Sequence, residues 1–516
     1  MGKTVTRAPQ GAGLKADGIY DATKLGTGKM LILGLQHMFA MFGATVLVPA
    51  LTGLSVSATL LFAGLGTILF HVLTKGKVPA FLGSSFAFLA GYFSISGLEV
   101  EGFTKEQLLP YACFGVACAG LVYLILAGLI KLFGINKVMK FFPPIVTGPI
   151  IIAIGLSLSK SAVENCMTNW LIAIVAILIV IICNIWGKGM IKIVPIILGI
   201  LGACLLAIIL TLTTGQVIDI GTAEQPNMVY ALAGSPDFQL FSVSAVENIK
   251  NAAWIGFPFQ FKDTVFSIFA NGVNTHVLAT SIITIVPISL ATIVEHIGDI
   301  SAISSTVGIN YIADPGLHRT LMGDGLATTL ASLFGAPANT TYGENTGVLT
   351  ISKVYDPRVI RIAAAFAVLF SFSPKIAAVI SAIPTPVVGG ISLVLYGMIS
   401  AVGVRNIVEN QVDFSKTRNV VIAALILVLS IGVTYCSAGA INIPVGSAVI
   451  SLSGLAAGSL IGIIANAALP GKDYVFGDKT SESQFATETI TGNKGKPVTV
   501  DNVTRPDNQK KKKKKK

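Results

Sequence analysis

Ala336-Pro-Ala-Asn-Thr-Thr-Tyr-Gly-Glu-Asn-Thr-Gly-Val-Leu-Thr-Ile-Ser-Lys353 is the stretch that decides what this chain is. Long apolar runs flank it, yet Asn339 to Gly347 are almost all small or polar, with a carboxylate, Glu344, at the centre. In a bilayer core an ionisable group is costly and marks function by default. Glycine-bearing, irregular backbone at that depth survives only where protein or a cavity covers it.

The composition supplies the membrane. Hydrophobic residues make up 53% of the chain and charged residues 12%, against about 25% charged in soluble domains. Apolar runs long enough to cross a core of roughly 30 Å recur from Lys29 to the 460s. This excludes a soluble enzyme and indicates an all-α polytopic membrane protein. Residues 1–28 lack the apolar core of a signal peptide, so the first run is expected to stay as a span. Cys113, Cys118, Cys166, Cys183, Cys204 and Cys436 show no metal-ligand spacing and no disulfide framework. The 53 glycines suit close helix approach in lipid.

Fourteen apolar segments are expected, beginning near residues 30, 55, 79, 110, 142, 169, 190, 276, 317, 337, 359, 385, 419 and 443. Loop charge tests the count. Even-numbered loops carry Lys75 and Lys77; Lys131, Lys137 and Lys140; Lys188 and Lys192; Arg319; Lys353, Arg358 and Arg361; and Arg405, Lys416 and Arg418. The short odd loops carry only Lys105, among Glu99, Glu101 and Glu106, and Lys160. The positive-inside rule then places both termini in the cytoplasm. The expected organisation is a cytoplasmic tail (1–28), a first repeat (29–214), an extracytoplasmic connector with interfacial aromatics (215–275), a second repeat (276–470) and a disordered cytoplasmic tail (471–516). Without Lys510 to Lys516 the net charge of +11 becomes +11 − 7 = +4, so basicity is largely a tail property. It does not signal nucleic-acid binding; a plain solvated tail is the expected reading, with contact to anionic lipid as the alternative.

The two halves echo each other. Phe142-Pro-Pro-Ile-Val-Thr-Gly-Pro-Ile in segment five resembles Ile383-Pro-Thr-Pro-Val-Val-Gly-Gly-Ile in segment twelve. Gly83-Ser-Ser-Phe86 in segment three parallels Asn339-Thr-Thr-Tyr342 in segment ten. Both pairs are seven segments apart. Seven is odd, so the second half runs inverted, the pattern of a secondary transporter with its site at the midplane. The hydroxyl–hydroxyl–aromatic triplets favour extended backbone. We expect two short antiparallel strands, each leading into a helix whose N-terminal N–H groups face a ligand.

Segment eight ends Ala291-Thr-Ile-Val-Glu-His-Ile-Gly-Asp299. Glu295 and Asp299 share a helix face, and His296 points elsewhere. Asp299 lies near the segment end, where plain solvation is the bland alternative; for Glu295 that alternative is a structural hydrogen bond. Two carboxylates in one low-dielectric site resist being ionised together, which suits proton coupling. Phe86 or Tyr342 offers a ring to a planar ligand, with core packing as the alternative. His37 and Asn345 are assigned to the structural polar core. No metal or cofactor is expected.

These residues resemble the nucleobase–cation symporter 2 family, also called nucleobase–ascorbate transporters, and within it the bacterial uracil permease branch. The resemblance rests on Leu35 to Pro49, Gly76 to Phe88, Glu295-His-Ile-Gly, Asp314-Pro-Gly-Leu-His-Arg319 and Asn339 to Gly347, and spans about 30–465. The family signature reads here Glu344-Asn-Thr-Gly-Val-Leu-Thr-Ile-Ser-Lys353, with Ser352 in place of the usual threonine. Glutamate in first place is similar to uracil carriers; glutamine is typical of xanthine and urate carriers.

The resemblance implies two inverted sevens, with segments one to four and eight to eleven as a core domain and the rest as a gate. It implies a homodimer in lipid and proton symport. By position, Glu295 and Glu344 would bind the base's polar edge, and Phe86 would stack on the ring or offer its N–H. Ala44, Tyr342 and Gly343 would line the site, and Tyr396 would approach from the gate. Glu295 and Asp299 would couple the proton. Asp299 stands where a uracil permease carries histidine and where family purine carriers can carry aspartate. The expected function is proton-coupled uracil import by alternating access. The alternatives are a xanthine or guanine carrier and a passive channel. Carboxylates in the site argue against an anion carrier, and no hydrolase motif supports an enzyme.

Overall fold

Backbone in lipid must satisfy its polar groups internally, and a helix does so within one segment. The structure is a computed structural model describing residues 15, 18–98, 100–221, 227–233, 235–445 and 448–471. The lysine-rich end lies outside the described residues. Helix α1 (Thr27–Thr52) ends at Gly53, whose N–H bonds the Pro49 carbonyl from the left-handed region at φ +81°; glycine enters that region without a Cβ penalty. Ser55 caps α2 (Val56–Leu73) by accepting from the Ala58 N–H. Strand β1 (Leu82–Ser84), α3 (Leu89–Ser96) and α4 (Lys105–Phe133) follow, α4 opening on a Thr104–Gln107 capping box. Helices α5 (Pro144–Ser157), α6 (Ser159–Met167), α7 (Trp170–Trp186) and α8 (Pro195–Thr214) complete the first half.

The connector carries structure of its own. Strands β2 (Gly215–Asp219), β3 (Met228–Leu232) and β4 (Ser235–Ser242) form an antiparallel sheet, followed by α9 (Val243–Asn251). Phe259 packs on Phe62 and Phe334, with ring centroids 6.4 and 5.2 Å away, while Trp254, Ile255, Phe257 and Phe261 stand exposed.

The second half contains α10 (Thr275–Ile285), α11 (Ser289–Val307), α12 (Leu317–Leu333), β5 (Asn339–Thr341) and α13 (Gly343–Ser352). A 3-10 turn, Val286–Ile288, joins α10 to α11. Then come α14 (Pro357–Ser371), α15 (Pro374–Ser381), α16 (Thr385–Glu409) and α17 (Thr417–Tyr435). The chain closes with a hairpin, β6 (Ala440–Val445) and β7 (Ala448–Ser453), and α18 (Gly454–Ala468). Among the described residues, eight helical spans are long and apolar enough to cross a membrane, or nine if α14 and α15, bent by 89°, count as one.

Two places depart from the sequence expectation. The run expected to begin a segment near 443 is strand until Ser453. Ile441, Ile443 and Val445 are β-branched, and Pro444 has no N–H for a helix interior. Residues 19–25, read as part of a tail, are packed. Ile19 bridges Val354, the Ala22 N–H donates to Asp356 Oδ2 at 2.8 Å, and the Tyr20 hydroxyl donates to the Val307 carbonyl at 2.6 Å.

Small residues set the helix spacing. Helices α5 and α16 touch at glycines: a Cβ on Gly403 would fall 2.7 Å from the Gly148 carbonyl oxygen, and one on Gly148 would fall 3.2 Å from that of Gly403. Backbones this close gain van der Waals contact, the main attraction between helices in lipid.

Candidate functional site

The two interrupted stretches meet in the interior. β1 pairs antiparallel with β5 in the register Leu82↔Thr341, Gly83↔Thr340, Ser84↔Asn339, and every residue of both strands is buried. The Ser85 N–H donates to Ala338 O at 2.8 Å and the Tyr342 N–H to Phe81 O at 3.0 Å, extending the pairing by one residue at each side. Asn339 Nδ2 donates to Phe62 O (2.9 Å), Thr328 Oγ1 to Asn339 O (2.7 Å), and the Tyr342 hydroxyl to Ser84 O (2.8 Å). These bonds hold extended backbone away from water at little cost.

Glu344 sits in the first turn of α13, whose N-terminus no side chain caps. The first N–H groups of a helix have no partner within it, and here the Glu344 carboxylate lies against its own backbone N–H. Gly343 is exposed, with only Asp299 Oδ1 (3.9 Å) within 4 Å of a Cβ placed there, and at Gly347 nothing lies within 4 Å. There is open space beside this helix start. Across it, α11 presents Glu295 and Asp299. Glu295 Oε2 is buried without a hydrogen-bond partner, and Asp299 Oδ2 accepts from Thr341 Oγ1 at 2.8 Å. Glu295, Asp299, Glu344 and Asp324 lie close enough to act on one another's charge.

The ring residues meet one another in the core. Phe86 and Tyr396, on α16, meet edge to face with centroids 5.9 Å apart. Both belong to one buried apolar cluster with Ala44 and Tyr342. Tyr396 keeps a buried hydroxyl with no partner. A cavity of about 390 Å³ lies away from this place, between the start of α2, α9 and α15, and no titratable side chain lines it.

His37 and Asn345 join α1 to α13. Asn345 Nδ2 donates to the His37 carbonyl at 3.1 Å and lies 3.2 Å from His37 Nδ1. Asn345→Ala is expected to lower the stability of the purified protein by about 1–3 kcal/mol, read as a lower melting temperature, because the His37 ring loses its partner while buried. An unchanged melting curve would show that the joint carries no stability.

Sequence reasoning misses Asp324. It lies in α12, fully buried, with Oδ2 3.2 Å from His296 Nδ1 at ion-pair distance though without hydrogen-bond alignment. The signal that finds it is an aspartate inside an apolar run, Met322-Gly-Asp-Gly325. His296, read as pointing away from the carboxylates, does turn from Glu295, but towards Asp324 and Thr341.

A polytopic helical bundle with two paired, interrupted segments has the form of a membrane permease. Residues 28–439 match the permease family, and the chain belongs to that family of nucleobase–ascorbate transporters. It is 38% identical over 466 residues to the uracil permease of Bacillus caldolyticus, covering 89% of this chain and 96% of that protein. To the uracil permease of Bacillus subtilis (strain 168) it is 37% identical over 452 residues, covering 84% and 91%. To that of Escherichia coli (strain K12) it is 34% identical over 444 residues, covering 84% and 89%. Among solved structures it is similar to the transmembrane domain of the cyanobacterial bicarbonate transporter BicA (TM-score 0.54, 14% identity, 87% of this chain and 99% of that one). It is also similar to SLC26A9 (TM-score 0.55, 12% identity, 86% and 66%). At such identities the likeness concerns the fold alone.

Proposed function

We propose that this chain is a proton-coupled uracil carrier, importing the base by alternating access across a bacterial cytoplasmic membrane, with both termini inside. The observation that carries this reading is the gathering of carboxylates at an uncapped helix start: Glu344 lies in its first turn, Asp299 Oδ1 lies 3.9 Å from a Cβ placed on Gly343, and Glu295 on the same helix as Asp299 keeps a buried oxygen without a partner. Uracil is a flat ring with two N–H donors and two carbonyl acceptors. Carboxylates accept from the N–H groups, the first-turn N–H groups of α13 donate to a carbonyl, and Phe86 takes the ring face. The names of the relatives, uracil permeases of B. caldolyticus, B. subtilis and E. coli, support the choice of base.

Helix pairings support fourteen segments in two inverted sevens. α2 packs on α14 as α4 packs on α12; α5 packs on α17 as α16 packs on α7; α7 packs on α8 as α17 packs on α18. Each pair maps onto the other under a seven-segment shift, while β1–β5 and α5–α16 map onto themselves. On this reading segments one to four and eight to eleven form the core and the rest the gate. Glu295, helped by Asp299, takes up the coupling proton, and Tyr396 closes from the gate side. The carrier works as a homodimer in lipid and needs no cofactor.

Uptake of labelled uracil by whole cells is expected to be saturable and to collapse when a protonophore is added. Unchanged uptake would remove proton coupling, and no uptake of any base would remove the reading. Asp299, in place of histidine, favours a second reading, a purine carrier; unlabelled xanthine or guanine competing better than uracil would establish it.

A further inference from the structure

Thr341 stands between two titratable clusters. Its backbone is fixed by pairing with Leu82, and the residue is 2% exposed. Its hydroxyl donates to Asp299 Oδ2 at 2.8 Å and lies 3.4 Å from His296 Nδ1. The same Nδ1 lies 3.2 Å from Asp324 Oδ2, and both of those residues are fully buried. Neither oxygen of Asp324 has an aligned hydrogen-bond partner. The titratable side chains around this cluster are Glu295, His296 and Asp299 from α11, Asp324 from α12, Glu344 from α13, Tyr123 from α4, and Tyr342 between β5 and α13. Asp299 borders the open space beside the helix start and Glu344 lies in that helix's first turn, whereas Asp324 is fully buried.

We propose that the Thr341 hydroxyl is a relay that passes a proton between Asp299, at the edge of the binding site, and the buried His296–Asp324 pair. The proposal rests on the proton-coupled reading above. The transfer balances without any further reactant. Starting from a protonated Asp324, a neutral His296 with Nδ1 unprotonated and an ionised Asp299, the Asp324 O–H bond breaks and its proton joins Nδ1, leaving an imidazolium beside the Asp324 carboxylate. The Nδ1–H bond then breaks and its proton joins the Thr341 oxygen, as the Thr341 O–H bond breaks and its proton joins Asp299 Oδ2. Threonine and histidine end as they began, and one proton has moved from Asp324 to Asp299. The reverse sequence returns it. Asp324 is thus a fully buried store for the coupling proton, and Thr341 is its connection to the site.

The test uses the purified full chain in proteoliposomes with labelled uracil and two readouts. Accumulation driven by an imposed pH gradient needs net proton movement, whereas counterflow at equal pH does not. In Thr341→Val the ratio of gradient-driven accumulation to counterflow is expected to fall about tenfold or more relative to wild type. Thr341→Ser, which keeps the hydroxyl, is expected to restore it. Thr341→Ala serves the same comparison if the valine protein does not reach the membrane. An unchanged ratio in the variants lacking the hydroxyl, or a serine variant as impaired as valine, overturns the relay. A wild-type protein that shows counterflow but no gradient-driven accumulation overturns the proton-coupled reading itself, separately from Thr341.

Discussion

Glu344→Gln is expected to weaken uracil binding about ten- to a hundredfold, the value of a hydrogen bond to a charged group. Glutamine keeps the length and shape of the side chain, so the first turn of α13 and its N–H groups remain. It replaces one acceptor oxygen with an N–H donor, which meets the donors of the base head-on. The surroundings do not soften the change: Gly343 and Gly347 offer no side chain to rearrange, and Glu295 Oε2 has no partner to spare for the ligand's second edge beyond itself. Binding to purified protein, measured by calorimetry or by ligand-dependent thermal shift, checks it. Unaltered affinity would remove Glu344 from the site.

Gly403→Val is expected to leave little folded protein, or to lower thermal stability by about 1–3 kcal/mol or more, the cost of overpacking a close contact. The added Cβ would fall 2.7 Å from the Gly148 carbonyl oxygen and 2.7 Å from the Ile152 backbone nitrogen. These are backbone atoms of α5, which cannot rotate away as a side-chain end can. The comparison is Gly397→Ala on the same helix, where nothing lies within 4 Å of the new Cβ. That substitution is expected to be neutral or to stabilise α16 by up to about 1 kcal/mol, because alanine is the better helix residue. Fluorescence-detected size-exclusion profiles and melting curves separate the two. Equal behaviour would show that the α5–α16 spacing is not set by its glycines.

Much of the fold is legible because lipid restricts the choices. A chain with this many apolar runs must be helical in the membrane, and breaks such as Asn339 to Gly347 stand out against that background. The hairpin at 440–453 is less legible. Its isoleucines and valines satisfy a hydropathy count as readily as a helix would, and only β-branching and Pro444 argue otherwise. The packed residues 19–25 are illegible for a different reason. Their partners, Val307, Val354 and Asp356, lie hundreds of positions away, and nothing local marks the contact.

The site divides in the same way. Sequence alone determined that a carboxylate stands in a glycine-bearing break, that Glu295 and Asp299 share a helix face, and that the two breaks correspond. Each is local, since spacing on a helix or strand fixes which residues align. Tertiary structure alone decided the register in which the two breaks pair. It placed Phe86 against Tyr396, and brought His296, Asp324 and Thr341 into one chain of polar contacts behind Asp299. Those contacts join α11, α12 and β5, and the distances between such elements depend on how the glycines and small side chains between them pack, which no single segment contains.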